Sequence, residues 1–420
     1  MNTSTNISIK RSLLPRHVPP TATPLQIAEW QRGLNAPTTT LEEFASALAT
    51  YLDVPHVFTA SSGRTALRLL LDTLARQPQW GGRRQVVLPG YMCPAVAKVI
   101  LDAGLTPHLV DIDPDTFTYP PAALNDAVSE ETLAIMVVHP FGIPVAMGPA
   151  LAAARAVGAL VIEDAAQAMG ARVEGRHVGT RGHVGLYSLG PGKPMALGGG
   201  GVVVTADETL AEALREEWAG LASSSSIASV VASVGAWLRL GIFALAFQPP
   251  LWWLATRLGA QKVGGNEASW GYSLTGLTAA QAGVGLALLP RLEQINQKRR
   301  DHARQLLAGL ADLVSLTTPG ISRATKVENT KQPIYLRLPL LTSTMAQADS
   351  IYRTLAAAGI GVGRMYGRTI PEFFPQLAGP SLPGSEQVAR TLLTLPTNHH
   401  LNADELARIP TLIRKALLAE

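Results

Sequence analysis

The sequence predicts an α/β protein: a large domain with a mostly parallel seven-stranded sheet between helices, plus a small C-terminal α+β domain. Three observations predict it. From about residue 42 to 205, short apolar runs alternate with Ala/Leu-rich helical patterns, the alternation that builds parallel sheets covered on both faces. A small-residue turn, Ser61-Ser62-Gly63, links the first run to a helical pattern. The run Leu160-Val161-Ile162 ends on two carboxylates, Glu163 and Asp164, and ligands of parallel sheets gather at the C-terminal ends of strands.

The elements follow in order. Residues 1–40 are polar and Pro-rich and read as an arm. Strands are expected at 56–60, 85–89, 107–112, 133–139, 159–164, 185–189 and 201–205, with helices such as Thr65 to Arg76 and Val96 to Ala103 between them. A large domain is expected over 41–295, carrying an apolar insert at about 221–265, and a small one over 296–420. A long helix from Thr278 should divide at Pro290, which lacks the amide proton a helix interior needs. In the last part, 333–340 reads as a strand, 345–359 as a helix, 360–366 as a short strand, and the segments from Ser385 to Leu395 and from Asn402 to Leu418 as closing helices.

Composition narrows the function classes. Hydrophobic residues make up 47% and charged residues 16% of 420, enough apolar material for a large core and too much for wholesale disorder. A net charge of +4 without long Lys/Arg runs gives no reason to expect a nucleic-acid partner. One cysteine, Cys93, excludes an internal disulfide framework and a Cys-based zinc site, and no metal is expected. The N-terminus lacks the apolar core of a signal peptide, so a cytoplasmic protein is expected.

The apolar insert reads three ways. From Ile227 to Phe247 it is almost wholly apolar, broken by Arg239, and Gln248-Pro249-Pro250 interrupts it before Leu251-Trp252-Trp253. It is long enough to be tested as a membrane span, though a mid-segment arginine argues against one. A subunit interface or substrate-site cover, and a peripheral membrane contact through 227–259 with tryptophans at the interface, stand beside it.

Chemistry concentrates between Glu163 and Thr205. Asp164 closes an apolar run. Lys193 follows in a loop dense with glycine, five residues after Ser188. An acid at a strand end and a lysine in such a loop are what pyridoxal 5'-phosphate (PLP) requires: the acid keeps the pyridine nitrogen protonated and the lysine bonds the aldehyde carbon. The turn at Ser62-Gly63 opens a helix, and backbone amides at a helix start bind phosphate. Each feature alone has a plainer reading: Asp164 as a helix cap, Lys193 as a solvated surface lysine, Ser62 as an ordinary cap.

Together they resemble the DegT/DnrJ/StrS family, PLP-dependent sugar aminotransferases of the fold-type I (aspartate aminotransferase-like) superfamily. The resemblance is carried by Ser62-Gly63-Arg64-Thr65-Ala66-Leu67, Pro89 to Cys93, Val110 to Asp113, Val138 to Gly142, and Glu163 to Ala171, which fits the family's E-D-A-A-Q-A-x-G-A at every fixed position. It continues through Ser188 to Lys193, Gln281 to Leu292, Gly359-Ile360 with Tyr366, and Leu395-Pro396 with Leu401. The resemblance implies a fold-type I PLP-dependent transferase. Lys193 would be the catalytic lysine, which also moves the proton between substrate and cofactor. Asp164 would pair with the ring nitrogen and Gln167 with the phenolic oxygen. Ser62, Gly63 and Ser188 would hold the phosphate. Arg64 would supply a phosphate or carboxylate contact, or an outward salt bridge. Cys93, or else Tyr91, would take the ring-stacking position, and His139 would lie on a neighbouring strand. The implied reaction moves an amino group from a small-molecule donor, glutamate in many members, to a keto-sugar acceptor, usually nucleotide-linked, in a homodimer.

Departures from the family pattern mark the acceptor side. The acid of G-E-G-G is absent from Gly198 to Gly201, and His183 follows Gly182 where the family has Asp. The segment Trp270 to Thr275 lacks the Asn and Arg that the family sends toward the neighbouring subunit. Pro194 follows the lysine. The lysine itself separates this chain from a dehydratase branch that carries His there. Two rivals stay open: the same chemistry on a lipid-linked or hydrophobic acceptor at the membrane surface, and a non-catalytic regulatory or scaffold protein on the same fold.

Overall fold

The computed structural model describes residues 16–221, 227–258, 271–313, 315–320, 330–379 and 381–418. Trp270 and the flanks of the apolar insert lie outside them. Helices α1 (Ile27–Arg32) and α2 (Thr40–Leu52) precede strand β1 (His56–Ala60). Then come α3 (Gly63–Arg76), β2 (Gln85–Pro89), α4 (Pro94–Asp102), β3 (Thr106–Val110), α5 (Pro121–Ala127), β4 (Thr132–Val138), α6 (Gly148–Val157) and β5 (Leu160–Asp164). A short hairpin, β6 (Arg172–Val173) and β7 (Arg176–His177), leads to β8 (Val184–Ser188), β9 (Gly201–Thr205) and α7 (Glu208–Ala219).

Seven of these strands form one sheet in the order β1-β9-β8-β5-β4-β2-β3. Pairings from β3 across to β8 are parallel, and β9 runs antiparallel to both β8 and β1. The expected strands therefore form, with their ends shifted by a residue or two. They were legible because they are short apolar runs: β4 and β5 are buried almost throughout, as strands covered on both faces must be. The C-terminal ends of β1, β2, β4, β5 and β8 share one edge of the sheet. Register puts Val138 and Leu186 on either side of Asp164.

The insert folds as α8 (Ile227–Ala246) and α9 (Pro249–Arg257). The expected long helix is α10 (Ala279–Leu288) and α11 (Leu292–Gly309), divided by a 3-10 turn at Leu289–Arg291 that contains Pro290. Thr278 and Gln281 cap α10 reciprocally, satisfying amides that a helix start leaves open. The remaining elements are β10 (Leu316–Thr317), β11 (Lys331–Gln332), β12 (Arg337–Thr342), α12 (Met345–Ala357), α13 (Ile370–Phe373), α14 (Pro383–Thr391), β13 (Leu392–Pro396) and α15 (Ala403–Leu418). An antiparallel sheet β10-β12-β13 carries this part.

Four details differ from the sequence expectations. The strand expected at 333–340 begins only at Arg337. Leu392–Pro396, read as the end of a helix, is a buried strand; an apolar run of that length fits either period. Residues 360–366 form no strand and keep only isolated bridges, Ile360 to Val18 and Gly363 to Thr394. The stretch read as an arm contains α1, and its Val18 is fully buried.

Glycine is required where β9 meets the turn after β1. A Cβ on Gly201 would lie 2.3 Å from the Ser62 carbonyl oxygen and 2.6 Å from Gly63 Cα. Both are backbone atoms that cannot rotate away. Gly201→Ala should therefore push the Ser62-Gly63 turn off the sheet and destabilise the protein by about 1–3 kcal/mol. Urea denaturation checks this; an unchanged midpoint contradicts the close packing.

Candidate active site

A cavity of about 1890 Å³ lies at the strand-end edge, and its lining includes Ser62, Gly63, Arg64, Cys93, Asp164, Gln167, Ser188 and Lys193. Every site residue singled out in the sequence thus reaches one space. Their sources are separate: Ser62 and Gly63 start α3, Cys93 precedes α4, Asp164 ends β5, Ser188 ends β8, and Lys193 sits in the loop before β9.

The turn after β1 is held closely. Ser62 Oγ accepts from the Thr65 amide at 3.1 Å, so its oxygen caps α3. Gly63 approaches β8: a Cβ there would stand 3.3 Å from Ser188 Oγ. The start of α3 and the Ser188 hydroxyl therefore share one corner of the cavity. The Gly190 amide donates to Ser188 Oγ at 3.3 Å.

Glu163 and Asp164 point to opposite faces, as neighbours on a strand must. Glu163 is fully buried. It accepts from the amides of Gly179, Arg181 and Gly182 at 2.8, 2.5 and 2.5 Å. His139 Nε2 lies 3.1 Å away, and His139 Nδ1 accepts from the Val145 amide. That bond leaves the proton on Nε2, which donates to Glu163. Burial pushes the Glu163 carboxyl up, but His139 and the Gly179 and Gly182 amides outweigh it and leave the pKa lowered. Glu163 is thus a buried brace under the sheet edge.

Asp164 faces the cavity. Among the described residues only the Ala166 amide donates to it, at 3.0 Å to Oδ1. Burial raises its pKa, and this outweighs the Ala166 bond and the charges of Lys193 and His139. A buried carboxylate with one neutral donor is under-compensated, so a cation set against it would draw its pKa back down.

Gln167 takes the Phe141 amide on Oε1 at 3.1 Å and directs Nε2 to Tyr366 Oη at 3.4 Å. Among the described residues the Lys193 side chain makes no hydrogen bond or ion pair. Its backbone is fixed by Gly190 O and Thr23 Oγ1. The following residue is anchored as well: Arg299, almost fully buried, donates to Pro194 O at 3.2 Å, Ala22 O at 3.3 Å and Asn296 Oδ1 at 2.7 Å. Burial pulls its guanidinium down to about 10.

Sequence reasoning missed several contributors. Tyr366 lines the cavity from the C-terminal part, in a left-handed backbone conformation. Its ring is tilted against Tyr91 at 5.6 Å, and Tyr91 spends its hydroxyl on Met365 O at 2.5 Å. Arg299 sits in a charged run that reads as a solvated face. Residues of α8, including Val230, Val234 and Arg239, wall the same cavity, in keeping with the substrate-site cover offered for the insert, though no single residue of it was named as a contributor.

Buried histidines govern acid stability. Burial lowers His177 to about 4, His399 to about 3 and His400 to about 4, from 6.5. Below about pH 6.5 the unfolded chain therefore binds protons the native state refuses, and stability falls as pH drops. The lowered pKa of Glu163 adds a loss only further down, below the ordinary carboxylate range. Urea midpoints should decline from about pH 7 to about pH 5; a flat profile across that window contradicts the histidine assignment.

Residues 28–414 match the DegT/DnrJ/EryC1/StrS aminotransferase family. Among curated relatives, Protein MosB of Rhizobium meliloti is 38% identical over 176 residues, which span 42% of this chain and 34% of that protein. The UDP-N-acetyl-3-dehydro-alpha-D-glucosamine 3-aminotransferase of Acidithiobacillus ferrooxidans is 30% identical over 87% of this chain and 85% of its own length. Among solved structures, the Helicobacter pylori PseC aminotransferase, involved in pseudaminic acid biosynthesis, superposes with a TM-score of 0.76 at 19% identity, over 96% of this chain and 100% of that one. With the whole sheet and its strand-end cavity inside the matched span, the chain belongs to the DegT/DnrJ/EryC1/StrS aminotransferase family.

Proposed function

We propose that this protein is a PLP-dependent aminotransferase that moves an amino group from an amino-acid donor, glutamate in the first instance, to the carbonyl of a keto-sugar or sugar-like acceptor. The observation that carries the reading is the convergence of Asp164, Gln167, Ser188, Lys193 and the start of α3 on one cavity. The reading of the acceptor as a nucleotide-linked sugar is supported by relatives named for UDP-, dTDP- and GDP-linked sugars. A homodimer is part of the proposal.

The residues fit the cofactor. The under-compensated Asp164 calls for a cation of the kind a pyridinium nitrogen provides. The Gly63–Ser188 corner is an anion site, with helix-start amides beside a hydroxyl. Bound there, PLP would supply an aldehyde carbon to carry the amino group and a ring to absorb an electron pair. The chain does the rest. Asp164 holds a proton on the ring nitrogen by its charge. Gln167 Nε2, already oriented by Tyr366 and Phe141, has a second hydrogen to donate to the phenolic oxygen. Ser188 Oγ and the amides of Gly63 and Arg64 hold the phosphate. Lys193 Nζ would hold the cofactor through its aldehyde carbon, with the aldehyde oxygen leaving as water, and would carry the proton between the donor carbon and the cofactor side. Tyr91 and Tyr366 bound the cavity and exclude water. The scaffold rival has no use for a lysine that, among the described residues, makes no hydrogen bond or ion pair yet stands close enough for its charge to act on a buried acid.

Purified protein incubated with PLP, glutamate and a panel of keto-sugar nucleotides should yield 2-oxoglutarate and an amino sugar in equal amounts. Absence of 2-oxoglutarate with every acceptor, and with other amino donors, contradicts the reading.

A further inference from the structure

Helix α8 is apolar on two sides. Its inner side packs on the protein: Ala236 and Leu240 are buried, and Trp237 stacks on Trp30 at 3.9 Å between centroids. Each of these indoles donates to the other's carbonyl, at 2.9 and 3.1 Å. Its outer side carries Val231, Leu238, Ile242 and Leu245, all exposed, and α9 adds Leu251 and Leu254. Val231 and Ile242 are each 64% exposed. Most of the exposed large apolar side chains among the described residues lie on this hairpin. A helix apolar all round requires a cover.

Two features of the hairpin favour a lipid cover. Charge is the first. No Asp or Glu occurs from residue 218 to 266, while Arg239 and Arg257 are both exposed. Among the described residues neither guanidinium has a carboxylate partner; Arg257 lies over the Trp253 ring at 4.6 Å. Two such hairpins facing each other would set cation against cation with no acid between them. Anionic phospholipid headgroups supply the missing counter-charge. Attachment is the second. The turn between the helices is tied to the body, with the His17 amide donating to Pro249 O at 3.2 Å. With the Trp30–Trp237 stack, this lays the hairpin along the surface. Length and composition alone would allow a crossing, since Ala228–Ala246 has a mean hydropathy of 1.7, but a helix fastened flat at two points lies on a bilayer rather than through it.

We propose that the outer face of α8 and α9 docks on an anionic phospholipid bilayer. Val230, Val234 and Arg239 belong both to this hairpin and to the wall of the catalytic cavity. Docking therefore opens the site along the membrane surface, where an acceptor bearing an apolar tail meets Lys193. That last step rests on the aminotransferase reading; the docking does not.

The test is sedimentation of the full-length, PLP-loaded protein with vesicles of phosphatidylcholine alone or mixed with phosphatidylglycerol, at low and high salt. Wild type should pellet with the anionic vesicles and be released by salt. The double variant V231E/I242E, on side chains outside the cavity, should lower the bound fraction at least ten-fold with an unchanged thermal midpoint and cofactor spectrum. Light scattering in solution should give the same mass for both proteins. Wild type left in the supernatant with anionic vesicles overturns the proposal. So does a variant that pellets like wild type, or one whose mass falls from dimer to monomer, which assigns the face to a second copy. If V231E/I242E does not fold, R257Q decides: retained salt-sensitive binding at wild-type strength overturns the proposal. A protein that binds vesicles but transfers no amino group leaves docking standing and removes only the proposed chemistry.

Discussion

Replacing Lys193 with alanine should lower amino transfer by on the order of 10⁴-fold without unfolding the protein. The residue's backbone is secured by Gly190 and Thr23, while its side chain makes no hydrogen bond among the described residues, so truncation costs little stability. What is lost is the group proposed both to bond the cofactor and to carry its proton. PLP should still be held through Asp164, Ser188 and the start of α3, but with an altered visible absorption. Lys193→Arg keeps the charge and should fail equally, because a guanidinium stays protonated and cannot act as a nucleophile. Turnover under saturating glutamate, read beside a thermal melt, checks both variants. Wild-type turnover in either one contradicts the assignment of Lys193.

Asp164→Asn carries the second large effect. The side chain is nearly isosteric and can still accept from the Ala166 amide, so the fold should survive. Its charge is gone, however, and with it the means of holding a proton on the ring nitrogen. A fall in kcat of about 10²–10³-fold is expected, the scale of losing one preorganised electrostatic group. Native stability without cofactor should not fall, since the variant removes a buried carboxylate whose pKa is raised by burial and which therefore costs stability when ionised at neutral pH. The two readouts move in opposite senses: activity drops while the urea midpoint of cofactor-free protein holds or rises. A variant that loses stability and keeps kcat would make Asp164 a structural cap.

The sheet was legible because its strands are short apolar runs bounded by turns, and because each run feeds a helix. Asp164, Gln167, Ser188 and Lys193 were legible because the chemistry of PLP selects those residue types at strand ends and in a glycine loop. Glu163 was seen beside Asp164, yet its destination depends on His139 and on amides some sixteen to nineteen residues later, which no local pattern encodes. Tyr366 reaches the cavity only because a left-handed turn re-aims it. Arg299 looks solvated among Lys298, Arg300 and Asp301, and is buried because three chain segments converge on it. Leu392–Pro396 fits helix and strand alike until β12 pairs with it. In each case the missing information is a tertiary partner.

The central claim is that Asp164 and Lys193 frame a working PLP site. The visible spectrum of the purified full-length protein, recorded before and after adding glutamate, tests it most directly. The account predicts an absorption band of protein-bound PLP that glutamate converts to the band of the amine form, with both bands absent or displaced in Lys193→Ala. A protein that stays colourless after incubation with excess PLP would contradict it.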